Sequence, residues 1–129
     1  MRNIWLLIFL VMSATHAKAD DAPNCSDPQD QNTMTACARI DFEKADAELN
    51  DIWPKLKTDA EDSDKGSDKH DYADALLASQ RAWIVFRDAE CAWQGFEAHG
   101  GSLEPMLVAG CEARLTRDRI KQLQTGASE

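Results

Sequence analysis

Tyrosine occurs once in this chain, histidine three times, proline four times and glycine six times. Basic residues are the scarcer charge, 14 Lys and Arg against 23 Asp and Glu, for a formal net charge of −9. So acidic a chain repels phosphate backbones, which argues against nucleic acid as a partner. It attracts cationic proteins instead and speeds their encounter. Long hydrophobic runs are also missing. The longest, residues 4–12, falls far short of the roughly 20 residues that span a bilayer, so no membrane span is expected once this segment is removed. No glycine-rich phosphate loop, dinucleotide fingerprint, nucleophile elbow or Ser-x-x-Lys element occurs. The cysteines form no CxxC pair and no Cys/His cluster at zinc spacing, so no metal and no cofactor is expected. His70 and His99 fall in predicted loops away from any nucleophile, and carboxylate pairs such as Asp46 with Glu48 are what an acidic chain produces by chance. These absences speak against an enzyme.

What is present begins at the N-terminus. Arg2 is followed by the apolar run IWLLIFLVM and then by Ala17-Lys18-Ala19, a small-x-small cleavage site. A lipoprotein signal would need cysteine next, and Asp20 stands there. Residues 1–19 therefore read as a signal peptide and residues 20–129 as a single domain, periplasmic or secreted in a bacterium. Cleavage removes Arg2 and Lys18 and no acid, so the net charge falls from −9 to −11.

Four cysteines in a short exported domain read as a disulfide framework with three possible connectivities. Apolar periodicity predicts an all-α fold of three helices over residues 29–56, 72–96 and 106–123. The first helix carries Met34, Ala38, Ala45, Leu49, Ile52 and Leu56 on one stripe, with Asp27-Pro28 as its cap and first position and Asp30 in its first turn. Pro54 is expected to bend or end it. Residues 58–71 have no apolar pattern and read as a solvated, disordered acidic loop. The acids there (Asp59, Glu61, Asp62, Asp64, Asp68) lack an EF-hand register, so no cation site is expected. The third helix should bury Leu107, Cys111, Leu115, Arg119 and Gln122, and the tail after Gln124 should fray. An up-down-up bundle puts Cys37, Cys91 and Cys111 at one end, which favours the short loop closures Cys25–Cys37 and Cys91–Cys111.

The second helix carries Gln80 and Arg87 in the middle of a stripe otherwise made of Ala73, Leu76, Leu77, Trp83, Ile84 and Cys91. Buried polar groups need partners, so these two, with Arg119, either bond neighbouring helices or line a groove. Trp93 falls on the opposite side among Glu90 and Glu97, a candidate interface aromatic. The connector His99-Gly100-Gly101-Ser102 is a candidate binding loop held near a disulfide.

The run Cys25, Met34-x-x-Cys37-Ala38, Ala45-Asp46-x-x-Leu49-Asn50 and Trp53 continues as Gln80-Arg81-Ala82-Trp83-Ile84-x-Phe86-Arg87-Asp88-x-x-Cys91. Gly100-Gly101-Ser102, Cys111, Thr116, Arg119 and Leu123 follow. This pattern resembles the LprI-type lysozyme-inhibitor domain family over residues 25–123. Trp53 and Phe86 stand where the family would place tyrosine. The resemblance implies a helical, disulfide-bonded envelope domain and an inhibitor of host lysozyme. It supplies no inhibitory residues. A basic partner such as c-type lysozyme fits the acidic surface, with His99 and Ser102 as donors toward its cleft. The alternative is a structural or stress-protective envelope module, with Gln80 and Arg87 as contacts to a small ligand. Oligomeric state is not legible at this stage.

Expressed in a bacterium with its leader, the exported protein should begin at Asp20 by intact mass and N-terminal sequencing; a chain that retains Met1 would overturn the cleavage assignment.

Overall fold

The computed structural model describes residues 22–66, 68–69 and 71–126. The proposed leader, the cleavage point at Asp20, His70 and the last three residues of the tail lie outside the described residues. The chain forms three helices, α1 (Gln31–Asp64), α2 (Tyr72–Gly95) and α3 (Glu104–Gly126), with a 3-10 turn over Phe96–Ala98. Among the described residues there is no strand, and no helix is long and apolar enough to cross a membrane.

Pairings between helices define the course of the chain. Gln31 reaches Met106 and Arg117 bonds Asp41, so positions rise together along α1 and α3, which are parallel. Arg119 meets Gln80, Arg87 meets Thr116 and Cys111 meets Cys91, so α2 runs against α3. The result is the expected up-down-up bundle. Cys25 pairs with Cys37 and Cys91 with Cys111, at Cα separations of 5.5 and 5.4 Å. The first bridge ties the N-terminal segment to α1. The second ties the end of α2 to the start of α3, where Gly95 is buried and a Cβ would come 2.5 Å from Val108 Cγ2.

The apolar core is Leu49 and Leu56 of α1 against Ile120 and Leu123 of α3, flanked by Ile52, Trp53, Leu76 and Trp83. At roughly 2 kcal/mol for each fully buried leucine or isoleucine, this quartet is the main hydrophobic term of the bundle. On α3 the buried stripe is Ala109, Ala113, Thr116, Ile120 and Leu123 with Cys111, turned about one position from the expected one. Leu107, Leu115 and Arg119 are only half-buried and Gln122 is exposed. The reason is that α3 packs against both other helices and must bury two adjacent stripes.

Three boundaries differ from expectation. The cap of α1 is Asp30, whose Oδ1 accepts from Thr33 N at 2.9 Å and whose Oδ2 accepts from the Thr33 hydroxyl. This bonding holds its carboxyl below the ordinary range. Asp27-Pro28 lies before the helix. At the other end α1 does not stop at Pro54 but runs to Asp64, through half of the segment expected to be loop. Proline removes one backbone donor, yet Ala60 and Asp64 are buried one and two turns beyond Leu56, so the buried stripe continues. The acids of that segment are solvated i,i+3 and i,i+4 partners of lysines, Asp59 with Lys55, Glu61 with Lys57 and Asp62 with Lys65. The third boundary is the C-terminus of α3, which extends through Thr125 and Gly126.

Asp64 has a different task. Its side chain is turned inward and accepts from Tyr72 N and Ala73 N, both at 3.0 Å. Two of the four orphan amides at the start of α2 are thus satisfied by the last residue of α1, whereas Asp71, in the cap position, makes no side-chain cap bond. A carboxylate there also faces the positive end of the α2 dipole. Asp64→Ala should lower stability by about 1–3 kcal/mol in urea unfolding. Asp62→Ala, which removes only an exposed lysine partner, should change it by less than about 0.5 kcal/mol.

Candidate functional site

Two sets of residues could carry function, and the structure gives them different surroundings. The first is the polar set within the bundle. Arg87 is 8% exposed. Its Nε donates to Asp88 Oδ1 at 2.8 Å, and its Nη1 donates to Asp46 Oδ1 at 3.2 Å and to Thr116 Oγ1 at 3.4 Å. The guanidinium also lies over the Phe42 and Trp83 rings, 5.0 and 5.3 Å from their centroids. Gln80 Oε1 accepts from Arg119 Nε at 3.0 Å, and Arg119 Nη2 donates to Ser79 Oγ at 2.9 Å. Burial pushes the Arg119 guanidinium below its ordinary value. Glu112 is half-buried beside this set; burial raises its carboxyl, and the Arg87 charge partly offsets that. Among the described residues no buried side-chain nitrogen or oxygen lacks a partner. Gln80, Arg87 and Arg119 therefore hold the helices together.

The second set lies at the end of the bundle where the Cys91–Cys111 bridge joins α2 to α3. The chain leaves α2 through Phe96–Ala98 and reverses at Gly100, whose φ of 75° is the left-handed conformation that glycine adopts without strain. Gly101 N donates to Ala98 O at 2.8 Å, closing the turn. The His99 ring stacks on Phe96 with centroids 4.2 Å apart and planes within 10°. Glu104, in the first turn of α3, braces the loop from the far side. Its Oε2 accepts from Gly100 N at 2.7 Å and its Oε1 lies 3.3 Å from His99 Nδ1. These bonds, the one from Gly100 first, hold the Glu104 carboxyl below its ordinary value of 4.5.

The loop is thus fixed without being covered. Trp93, on the outer side of α2, is 71% exposed, Phe96 is 62% exposed, and His99 to Ser102 are all exposed. An open groove of about 510 Å³ runs beside it, with Trp93 and Met106 among its apolar walls and Glu97 and Arg114 among its charges. A second of about 530 Å³ lies on the other flank of α3, between Phe42 and Pro105. Exposed aromatics beside a pinned loop and shallow grooves are what a protein-binding surface requires. The described residues contain no group of three or more His, Cys, Asp or Glu placed to hold a metal ion.

Sequence reasoning singled out the loop and Trp93 but missed Phe96 and Glu104 as their supports. The available signal was local: a glutamate in the first turn of a helix, just after a Gly-Gly reversal, can reach back to the turn's free amide. Because the Glu104 carboxyl is depressed in the folded state, its contribution is present above the unfolded value and is lost as pH falls through the folded one. Glu104→Gln should accordingly destabilise the chain at pH 7, and the gap to the parent should close in unfolding curves taken from pH 5 down to pH 2. A gap that stays constant with pH would contradict the assignment.

The sequence model of one family, described as Lysozyme inhibitor LprI, matches residues 24–123. An uncharacterised protein of Rhizobium meliloti (strain 1021) is 41% identical over 124 residues, covering 92% of this chain and 89% of that one. No solved structure matches the chain.

Proposed function

We propose that this chain, which belongs to the LprI lysozyme inhibitor family, is an exported protein that binds and inhibits a lysozyme of the basic c type. Residues 1–19 serve as the export signal, and both disulfides suit the oxidising compartment to which it leads. The net negative charge steers the domain toward a cationic enzyme. The observation that carries the docking assignment is the exposed, braced loop of His99 to Ser102 at the disulfide-bonded end. Lysozyme cleaves its polysaccharide with two carboxyl groups flanking a cleft. A small protruding loop carrying donors complements such a cleft: Ser102 offers a hydroxyl, and Nδ1 of His99 faces Glu104, which leaves Nε2 for the partner. The loop's fixed geometry reduces the ordering cost of binding. The internal bonding of Gln80 and Arg87 speaks against the alternative of a ligand site between the helices.

Titrating c-type lysozyme with the oxidised protein should inhibit lysis of cell-wall substrate to saturation near one-to-one, and the inhibition should weaken between low and moderate salt. The double variant His99→Ala/Ser102→Ala should weaken inhibition at least about tenfold with the fold intact by circular dichroism. Full activity of lysozyme at high micromolar protein would overturn the function, and unchanged inhibition by the double variant would overturn the site.

A further inference from the structure

Helix α2 carries an apolar stripe on the side it turns away from the bundle. Ala75, Ala78, Ala82, Val85, Ala89, Ala92 and, in the following turn, Phe96 recur at spacings of 3, 4, 3, 4, 3 and 4, and all seven are exposed. Val85 is 70% exposed and Phe86, beside the stripe, 54%. A strict 3-4 alternation over three heptads is the pattern of a coiled-coil seam, and all of its positions are left exposed by the described residues. Alanine at most of its positions lets a second helix approach closely.

We infer that this seam pairs with the same seam of a second copy, α2 against α2 and antiparallel, about a two-fold axis between Ala82 and Val85. Three observations select that occupant. From Ala75 to Ala92 the seam is self-complementary under the two-fold: Ala82 meets Val85 of the second copy, Ala75 meets its Ala92, and Ala89 meets its Ala78, so every layer of that span is small and apolar. The same register sets the flanking Arg81 opposite Asp88 of the second copy, twice by symmetry, and Phe86 opposite its Ser79. Arg81 is exposed, and Asp88, although it accepts from Arg87 Nε through one oxygen, is half exposed. Parallel pairing would instead set Arg81 beside Phe86 and Asp88 beside Trp93 of the second copy, with no opposite charges matched. The third observation is area. Val85 and Phe86 alone expose roughly 220 Å². The alanine rungs extend this toward the about 800 Å² per partner of a standard interface. The overall negative charge opposes pairing, so the dimer is a concentration-dependent one in which the seam must outweigh repulsion.

Sedimentation equilibrium of the oxidised protein, from about 1 to 200 µM, should show a reversible monomer–dimer equilibrium. Ala82→Glu places a carboxylate in the layer against Val85 and should raise the dimer dissociation constant at least about 50-fold. Arg81→Glu should raise it about tenfold, whereas Lys57→Glu, the same change of charge on the exposed side of α1, should leave it within about twofold. All three residues are exposed, so circular dichroism should show each variant folded. A chain that stays monomeric leaves the seam to a helix of some other protein and overturns the inference. So does a dimer indifferent to Ala82→Glu, or one weakened as much by Lys57→Glu as by Arg81→Glu.

Discussion

Burying a guanidinium costs several kcal/mol unless its N–H groups find acceptors, and the position of every helix here follows from how Arg87 meets that demand. Its acceptors are Asp46 on α1, Asp88 on α2 and Thr116 on α3, so one side chain touches all three helices. The aromatic rings of Phe42 and Trp83 lie close to the same cation. Such a group contributes little net stability compared with a well-packed leucine. Its value lies in specificity, because a sliding helix would strand a buried charge. The apolar core alone would tolerate slippage, since its Leu and Ile contacts are non-directional. Arg87 therefore supplies the register and the core supplies the driving force.

Once register is set, the two ends of the bundle are closed by different means. At one end Asp64 carries the last turn of α1 onto the first amides of α2. At the other the Cys91–Cys111 bridge closes a 20-residue separation, a constraint of about 3 kcal/mol on the unfolded chain. The bridge also fixes the base of the His99 loop, so a segment with almost no buried side chain of its own keeps one conformation. Stability and the exposed position of this loop thus come from the same covalent bond.

Much of this was legible in the residues, and the gaps have physical causes. Helix number, order and the cysteine arrangement follow from apolar periodicity and chain geometry, which depend on local sequence. The end of α1 did not, because Asp59 to Asp64 look like solvated loop until the helix they extend is known to run alongside α2. Asp64 acts on amides eight and nine residues away, a relation with no local signature. The α3 stripe was misplaced by one position because periodicity assumes a single buried face and α3 has two neighbours. At the disulfide-bonded end, exposure of Trp93 followed from helical phase. The stacking of His99 on Phe96 depended on the three-residue turn between them.

Helix α2 is fastened differently from its two neighbours. Its buried residues are Gln80, Arg87, Cys91 and Gly95, none of them a large aliphatic side chain. The hydrophobic quartet joins α1 to α3, and α2 adds to it only the partly buried Leu76 and Trp83. Hydrophobic burial therefore holds α2 only weakly, and it depends on directional bonds: a guanidinium, an amide, a disulfide and a borrowed cap. Directional bonds occupy few positions of a helix. The remainder of α2 is released from the usual requirement that apolar side chains face inward. Val85, Phe86 and Trp93 sit on that released surface, where packing within the chain gives no reason for their presence. Large exposed apolar groups of this kind carry a solubility cost that an acidic chain offsets through its net charge. A fold that fastens a helix by bonds instead of burial has, in effect, a whole helical face to spend on other molecules.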